Sequence, residues 1–281
     1  MPVPLWVRAL QRADRVAWYA YHGYEVLREE LLFAYLPSSE RAAVIQHAYE
    51  AQDAYLPGGA TFERGLFSWE KSLLAREEVP KSGRVLLAAA GGGRELEALG
   101  ERGYEVCAFE PNPVLRRGAE EVASRFGARV YDGLFSDLST AVRDEGPLAS
   151  LRAQSPYALV VLGWGSITHV LEDEERIALL ESVRALAPTA PVIVSFFLRP
   201  ERNEGAPIAK TERLRKALRG AFARMGGRNH GVPEGLAYEA GGGFVYAFTE
   251  SEVQSMAHRA GYAVRYFCEA PFPHALFVPH A

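Results

Sequence analysis

Short apolar runs alternate with helix-like segments along the chain from Gly83 onward. Five such runs occur before residue 199: RVLLAAA, YEVCAFE, ARVYDG, YALVVLGWG and APVIVSFFL. Most are apolar at nearly every position rather than at every second one, which is typical of strands covered on both faces. Strands separated by helices build βαβ units, whose right-handed crossovers place helices on both sides of a parallel sheet. The pattern therefore predicts an α/β core.

The C-terminal tail follows a different pattern. Thr249 and Glu252 form a capping box, which predicts a helix that ends at Gly261. Two strand-like runs follow, YAVRYFC and HALFVPH, and the linker EAPFP between them is too short for a crossover helix. We therefore expect an antiparallel hairpin that closes one side of the sheet.

Three consecutive glycines, Gly91 to Gly93, lie between the first predicted strand and the helix-like segment RELEALGER. Glycine lets the chain turn tightly and lets a ligand approach the backbone where a Cβ would collide. The free N–H groups at the start of the following helix suit a negatively charged group. Glu110 ends the neighbouring strand, where a carboxylate can accept hydrogen bonds from both hydroxyls of a ribose. Together these features predict a nucleoside site at the carboxyl edge of the sheet.

The glycine spacing separates this loop from two common nucleotide-binding motifs. The dinucleotide fingerprint requires G-x-G-x-x-G, but reading from Gly91 places Leu96 at the last glycine position. A P-loop is excluded because no Gly-Lys-Ser or Gly-Lys-Thr follows the glycines.

Three segments resemble the class I S-adenosylmethionine-dependent methyltransferases. VLLAAAGGGRELEALGERGYEVCAFEPNPVLRRGAEE is similar to their glycine loop and acid-ended second strand. YALVVLGWGSITHVLEDEERIALLESVRALAP is similar to their fourth strand and the helix after it, and FTESEVQSMAHRAGYAV to the elements before their terminal hairpin. The resemblance spans about residues 83–280 apart from an insertion. It implies a Rossmann-like, seven-stranded, mostly parallel sheet with an antiparallel C-terminal hairpin.

The resemblance also implies S-adenosyl-L-methionine as the cofactor, with S-adenosyl-L-homocysteine as the product. Glu110 would hold the ribose, Asp137 the adenine amino group, and Trp164 would line the methionine and acceptor side. The residues that the resemblance assigns to cofactor binding are Ala89, Gly91, Gly93, Glu110, Pro111, Asn112, Asp137, Gly163 and Trp164.

Two positions depart from the family pattern. Members often carry an acidic residue where Leu87 stands and a glycine where Ala89 stands. Without that acid, the amino group of the methionine part needs another partner. A non-catalytic protein that binds the adenosyl group is an alternative on this ground.

Methyl transfer is an in-line displacement, in which the protein chiefly aligns the nucleophile, the methyl group and the sulfur. A base is needed only where the nucleophile enters protonated. His169, just beyond the fourth predicted strand in GWGSITHV, is the candidate catalytic residue. The alternative for His169 is a histidine that bonds the backbone at a helix start.

The region before the core, residues 1–80, predicts a helical N-terminal cap rich in aromatic residues, followed by a methyltransferase core over 81–281. Trp69, Tyr19 and Tyr21 are candidates for contacting the acceptor. The alternative is that these aromatic residues, at helical spacing, belong to an ordinary core.

An insertion at about 200–243 interrupts the core, with a basic helix over IAKTERLRKALRGAFARM and a loop over GGRNHGVPEGLAYEAGGG. The basic residues could bind phosphate, an acidic substrate or RNA, or they could form a solvated helix face. They are Lys210, Arg213, Arg215, Lys216, Arg219, Arg224 and Arg228.

Composition restricts the partners. The formal net charge of −4 argues against nucleic acid or an anionic membrane as a partner, and no apolar run is long enough to cross a bilayer. The two cysteines, Cys107 and Cys268, form no C-x-x-C pair, which fits a reducing cytoplasm. No cluster of histidine, cysteine and carboxylate residues indicates a metal site.

We therefore expect a cytoplasmic methyltransferase that acts on an O, N or S nucleophile of a small-molecule acceptor. The alternatives are an RNA methyltransferase, a non-catalytic adenosyl-binding module and a nicotinamide-dependent oxidoreductase.

Overall fold

The computed structural model describes residues 3–201, 210–227 and 232–280. These residues form two compact units. The smaller unit contains the described residues of 1–41 and 202–234, and the larger unit contains those of 42–201 and 235–281. The predicted insertion is thus divided between the two units.

The strands of the larger unit form two sheets. In chain order they are β1 (Arg84–Ala88), β2 (Glu105–Phe109), β3 (Arg129–Tyr131), β4 (Leu159–Leu162), β5 (Val192–Ser195), β6 (Phe197–Leu198), β7 (Leu236–Glu239), β8 (Gly243–Phe248), β9 (Tyr262–Cys268) and β10 (His274–Pro279). The first sheet has seven strands in the order β3-β2-β1-β4-β5-β10-β9. Strands β1 to β5 pair in parallel, whereas β10 runs antiparallel to both β5 and β9. The predicted Rossmann-like sheet with an antiparallel C-terminal hairpin is confirmed.

Helices connect these strands and precede them. They are α1 (Leu5–Tyr35), α2 (Arg41–Glu50), α3 (Ser68–Ala75), α4 (Arg94–Gly100), α5 (Pro113–Ser124), α6 (Leu138–Ala141), α7 (Ser150–Ala153), α8 (Asp173–Leu186), α9 (Lys210–Arg224) and α10 (Glu250–Arg259). Thr249 caps α10 by accepting a hydrogen bond from the Glu252 N–H, which confirms the predicted capping box.

The core of the larger unit explains the solid apolar runs. β1 lies between β2 and β4, and its residues Leu86 and Leu87 are fully buried because the sheet is covered on both faces. Residues that precede the sheet in sequence, among them Phe62, Trp69 and Leu73, belong to the same apolar cluster. This packing places these residues in the larger unit, which begins at Ala42, whereas the sequence predicts a boundary near residue 80.

The second sheet has the order β6-β8-β7 and differs from the predicted loop. β8 pairs in parallel with the two-residue β6 and antiparallel with β7. The sequence predicts a loop where β7 lies, because glycines surround this short segment. β7 pairs with β8 across a short turn, but a strand of four residues is too short to show a clear period.

The smaller unit consists of the long helix α1 and the basic helix α9, which contact each other. Glu30 of α1 is almost fully buried and accepts hydrogen bonds from Arg219 Nε at 2.7 Å and Nη2 at 2.8 Å. Arg215 forms ion pairs with Glu29 and Glu30. Two of the predicted basic residues are therefore neutralised inside this unit. Arg228 and the side chain of Lys210 lie outside the described residues.

α1 runs without a break until Leu36, whose extended conformation precedes Pro37. Within residues 3–201, 210–227 and 232–280, no helix combines the length and the hydropathy that crossing a bilayer requires.

Candidate functional site

A cavity of about 470 Å³ lies at the carboxyl ends of β1, β2 and β4. Open α/β sheets bind ligands at this edge, and the volume falls within the usual range of small-molecule sites. The wall is formed by the loops that follow these three strands, by α2 and the turn after it, by residues 134–139 and by α8, all within the larger unit.

The glycines after β1 serve different purposes. Gly91 has a φ of +56° in the left-handed region, and no atom lies within 4 Å of the position where a Cβ would stand. It presents bare backbone to the cavity. A Cβ at Gly92 would instead overlap the carbonyl oxygen of Tyr55, so glycine is required there by packing within the protein.

Ala89 lies beside the cavity in a conformation that favours glycine, with a φ of +56°. The left-handed region costs a residue with a Cβ about 1–2 kcal/mol. The carbonyl of Ala89 approaches Gly163 so closely that a Cβ at Gly163 would overlap it. The loops after β1 and β4 are therefore held tightly together at the cavity wall.

Glu110 directly follows β2 and lines the cavity. Its side chain is buried, with an exposed fraction of 5%. Its Oε2 accepts a hydrogen bond from the Gly91 N–H at 2.8 Å, and its Oε1 accepts one from the Asn112 N–H at 2.9 Å. Burial raises the pKa of Glu110 to about 7. Since each carboxylate oxygen can accept a second hydrogen bond, the fixed carboxylate can also bind two ligand hydroxyls.

A buried cluster of one arginine and two glutamates reaches the same cavity. Arg94 donates from both terminal nitrogens to the two oxygens of Glu70, at 2.7 Å each, and from Nη2 to Glu95 Oε1 at 2.7 Å. Burial opposes the charge of Arg94, but Glu95 and Glu70 raise its pKa, so it stays a cation. Glu95 also accepts the Trp164 N–H at 3.2 Å, and the Arg94 guanidinium lies 4.3 Å from the centre of the Phe67 ring.

Tyr49 of α2 and His169 form a hydrogen-bonded pair in the cavity wall. The Tyr49 hydroxyl lies 2.8 Å from His169 Nε2, and His169 Nδ1 lies 3.0 Å from the carbonyl oxygen of Phe244. A carbonyl oxygen only accepts, so Nδ1 carries the hydrogen and Nε2 accepts the Tyr49 proton. Burial lowers the pKa of His169 and raises that of Tyr49, which keeps the pair neutral at pH 7.

The β4 side of the cavity contains polar atoms that the protein leaves unpaired. Among the described residues, Trp164 Nε1 and Ser166 Oγ are buried without a hydrogen-bond partner. Leaving such a group unpaired carries a desolvation penalty of about 1–3 kcal/mol, which a suitably placed ligand group would remove.

Most of the residues that the sequence assigns to cofactor binding meet at this cavity. Those in its wall are Ala89, Gly91, Glu110, Pro111, Asn112 and Trp164. Gly93 and Gly163 support the wall from behind, through close packing against α5 and against Ala89 respectively. Asp137 lies just outside, where its carboxylate accepts the Leu134 N–H at 2.8 Å.

The three predicted acceptor-binding aromatic residues are not among those that line the cavity. Trp69 is 4% exposed and packs against Phe272 and His274, because α3 contributes its apolar face to the sheet core. Tyr19 and Tyr21 lie on α1 in the smaller unit, where both are exposed.

Tyr49 and Glu95 are among the wall residues that the sequence does not predict. Tyr49 is one of many aromatic residues before the core, and nothing in the sequence distinguishes it from the others. Glu95 follows the glycine loop directly, so an acidic residue in the first turn of α4 was a signal that could have been used. The sequence predicts His169 but not its partner Tyr49.

Comparisons with known structures identify the fold. A 1,6-didemethyltoxoflavin-N1-methyltransferase from Burkholderia thailandensis, solved with 1,6-didemethyltoxoflavin and S-adenosylhomocysteine, matches with a TM-score of 0.51 at 18% identity, over 86% of this chain and 89% of that one. A SAM-bound amino pentose methyltransferase from Micromonospora echinaspora matches with a TM-score of 0.50 at 15% identity, over 88% and 98%. The chain has the class I methyltransferase fold.

A third structure with this methyltransferase fold is a sugar N-methyltransferase from a Streptoalloteichus species, with a TM-score of 0.50 and 15% identity over 79% of this chain and 92% of that one. No profile of a known protein family matches the sequence, and neither does any curated protein sequence. The similarity is therefore one of fold. In the part of the chain that the structure describes, no group of three or more metal-binding side chains comes together.

Proposed function

We propose that this protein is an S-adenosylmethionine-dependent methyltransferase that transfers a methyl group to an O, N or S nucleophile of a small-molecule acceptor. The observation that carries the proposal is Glu110, a buried carboxylate at the end of β2 that two backbone N–H groups fix at the cavity wall. Structures with the same fold include proteins solved with SAM or S-adenosylhomocysteine bound.

The residues around Glu110 fit an adenosyl group. Both carboxylate oxygens keep a lone pair for a ribose hydroxyl, and Gly91 beside them leaves open space where a side chain would otherwise stand. Pro111 and Asn112 follow on the same wall. Glu110 would hold the ribose, and these neighbours would border the ribose or the adenine.

Glu95 is our candidate for the partner of the methionine ammonium group. Leu87, where many members of the family carry an acid, is fully buried in the core and cannot reach the cavity. Glu95 does line it, and its Oε1 accepts hydrogen bonds from Arg94 and from the Trp164 N–H, whereas burial raises the pKa of Glu70 despite its hydrogen bonds with Arg94. A carboxyl group in the cavity wall can accept hydrogen bonds from an ammonium group.

When bound, S-adenosylmethionine supplies an electrophilic methyl group on a sulfonium centre. The chain's own residues then have to bind the nucleophile and, where it enters protonated, accept its proton. Because the Tyr49 proton points at His169 Nε2, the Tyr49 oxygen is left as an acceptor, which suits an acceptor O–H or N–H. His169, held neutral by burial, can take the Tyr49 proton as Tyr49 takes that of the substrate.

A small acceptor is favoured by the character of the wall. Aromatic and aliphatic side chains form much of it, with a few polar groups between them, as in small-molecule sites. The ion pairs of Arg215 and Arg219 with Glu29 and Glu30 weaken the case for RNA, since paired arginines attract phosphate less strongly. The two free cysteines support a cytoplasmic location.

The proposal is tested by the unfolding temperature with and without ligands. A ligand that binds only the folded state raises this temperature, so S-adenosylhomocysteine is expected to do so and NAD⁺ is not. The reverse result would identify a nicotinamide-dependent protein instead. A panel of small hydroxyl, amine and thiol compounds, assayed for formation of S-adenosylhomocysteine, then tests catalysis. Cofactor binding with no methylated acceptor would favour the non-catalytic module.

A further inference from the structure

A continuous apolar stripe runs along the exposed side of α1. Its residues recur at alternating spacings of four and three, which is the a/d repeat of a coiled coil. They are Trp6, Leu10, Ala13, Ala17, Ala20, Tyr24, Leu27 and Leu31. All are exposed, with 70% of Trp6 and 57% of Tyr24 accessible to solvent. We call this set the α1 stripe.

The α1 stripe is distinct from the face that α1 uses within its own unit. That face carries Val26, Glu30 and Phe33, which are buried, and Glu30 pairs with Arg219 of α9. Helix α1 has 31 residues and is therefore about 46 Å long. Monomeric proteins rarely expose an apolar patch larger than a few hundred Å², so the stripe needs an occupant.

The period of the stripe indicates that the occupant is another helix. An apolar repeat of 3.5 residues, kept over about four heptads, is the signature of helix pairs. A bilayer surface requires no such period. Membrane binding would also bury little apolar area at the alanines Ala13, Ala17 and Ala20 in the middle of the stripe. Small residues at these positions instead allow two helices to approach closely.

The pattern of sizes along the stripe indicates which helix this is. When a second α1 is placed antiparallel, about a two-fold axis near His22, each alanine of one copy faces a large residue of the other. The facing pairs are Ala13 with Leu31 of the partner subunit, Ala17 with Leu27 of the partner subunit, and Ala20 with Tyr24 of the partner subunit. Alternating large and small residues across facing positions fills each layer evenly. A parallel pair would instead set alanine on alanine and tyrosine on tyrosine.

The flanking charges agree with this register. With Leu10, Ala17, Tyr24 and Leu31 at position a of the heptad, Asp14 and Arg28 both occupy position e. When two helices run antiparallel, position e of one helix meets position e of the other. In the register above, Asp14 comes close to the partner's Arg28 on both sides of the two-fold axis. A parallel pair would set Asp14 against Ala9, which offers no charge.

We propose that the chain forms a homodimer in which the α1 stripes of two copies pack antiparallel, with Ala17 against Leu27 of the partner subunit. In this register residues 9–35 of the two α1 helices overlap. A contact about 40 Å long and about 12 Å wide buries on the order of 1,000 Å² in two copies, which is close to the lower limit for a specific interface. The contact is isologous, so it closes on itself without forming fibres.

The first test measures the mass of the full chain by light scattering after size exclusion. The wild-type protein is expected at twice the chain mass of 30.9 kDa. Ala17→Glu places a charge in the middle of the stripe while keeping helix propensity, and it should halve the mass. The matched control, Gln11→Glu, adds the same charge outside the stripe and should leave the dimer intact. A monomeric wild type, or equal masses for both variants, overturns the proposal.

The second test measures the register by cross-linking. In a Cys268→Ser background, Ala17→Cys and Leu27→Cys chains are prepared separately, mixed and mildly oxidised. The mixture should form a disulfide-linked dimer, whereas each chain alone should not, because residue 17 faces residue 27 only across an antiparallel pair. Cross-linking of Ala17→Cys alone would indicate a parallel pair and contradict the register.

Vesicles containing phosphatidylserine distinguish the other possible occupant. The proposal expects no binding by the wild-type dimer. If the wild type is a monomer that sediments with these vesicles, and Ala17→Glu is released from them, then the α1 stripe is a membrane-binding face and the proposed dimer is wrong.

Discussion

The two ends of the cavity are built in different ways. At the Glu110 end, backbone N–H groups of Gly91 and Asn112 hold the carboxylate, and these groups lie in the loops after adjacent parallel strands. At the Tyr49 end, two side chains hold each other, and they come from α2 and from the turn after β4, 120 residues apart. The first end follows from the sheet itself, whereas the second depends on how α2 packs.

We infer that the two ends of the cavity are suited to different tasks, cofactor binding at Glu110 and acceptor binding at Tyr49. A carboxylate fixed by the backbone suits a cofactor whose position never changes, and the fold alone supplies it. A tyrosine–histidine pair suits an acceptor that differs from protein to protein, because the pair is added by a segment outside the sheet. We therefore expect changes at the Glu110 end to alter cofactor affinity, and changes at the Tyr49 end to alter turnover.

The largest effect is expected at Arg94, which lines the cavity and forms buried ion pairs with Glu70 and Glu95. Arg94→Ala leaves Glu70 and Glu95 buried without their cation and should lower the free energy of unfolding by about 3–5 kcal/mol. Urea denaturation at pH 7 measures this. The control, Arg125→Ala, removes an exposed ion pair with Glu97 and should cost under about 1 kcal/mol. Equal losses would show that the buried cluster does not stabilise the wall.

Glu110→Gln should weaken binding of S-adenosylhomocysteine by roughly 100-fold, since two hydrogen bonds to a charged acceptor contribute about 3 kcal/mol together. Titration calorimetry gives the dissociation constant. Glu105→Gln, at the exposed opposite end of β2, is the matched control and should leave it unchanged. A Glu110→Gln protein with wild-type affinity would remove the distinction between the two ends.

Tyr49→Phe should lower turnover roughly 10- to 100-fold, because the acceptor then loses its hydrogen-bond partner and the path to His169. Cofactor affinity should stay within about twofold, as the change lies at the other end. Tyr104→Phe removes the hydroxyl of a tyrosine that bonds Pro80, away from the cavity wall, and serves as the control. A Tyr49→Phe protein with weakened cofactor binding but normal turnover would reverse the assignment of the ends.

The pH dependence should also differ between the ends. Ribose hydroxyls donate to the ionised form of Glu110, whose pKa burial raises to about 7, so affinity for S-adenosylhomocysteine should fall up to about tenfold per pH unit below 7 and level off above about pH 8. Glu110→Gln should abolish this dependence. Turnover at saturating cofactor should stay flat through neutral pH, because burial lowers the pKa of His169 and raises that of Tyr49.

The stability of the free protein should respond to Glu110 in the opposite sense. The folded state binds this proton more tightly than the unfolded chain, whose carboxyl pKa lies near 4.5. The stabilisation is therefore complete below about pH 4.5 and is lost as the pH rises through about 7.

The smallest effect is expected at Ala89. Ala89→Gly relieves the left-handed conformation, but glycine also makes the unfolded chain more flexible, which offsets part of the gain. The free energy of unfolding should therefore rise by up to about 1 kcal/mol. Ala90→Gly, at the adjacent buried position, brings no such relief and should destabilise by about 1 kcal/mol. Equal signs in thermal denaturation would show that Ala89 is not strained.

The sequence predicts one end of the cavity better than the other, for physical reasons. The solid apolar runs of β1, β2, β4 and β5 leave few alternatives to a covered parallel sheet, and the position of Glu110 follows from strand order. Tyr49 could not be distinguished, because its role depends on one long-range contact with His169. The same holds for the pairing of β6 with β8, because these two strands lie far apart in the sequence.

A charge pattern in the sequence could have indicated which helices form the smaller unit. Helical periodicity predicts helices before residue 80, and it does not tell which of them pack on the sheet. The acidic pair Glu29 and Glu30 complements the basic residues Arg215 and Arg219 of the insertion, and this match joins α1 to α9. Trp69, in contrast, belongs to the apolar stripe of α3 and to the sheet core.

The most direct measurement is a crystal structure of the chain with S-adenosylhomocysteine. Both ribose hydroxyls should lie within hydrogen-bond distance of the Glu110 carboxylate, with the amino group of the homocysteine part beside Glu95. Density for the ligand elsewhere, or a ribose that faces solvent while Glu110 bonds only Gly91 and Asn112, would contradict the assignment of this cavity to the adenosyl group.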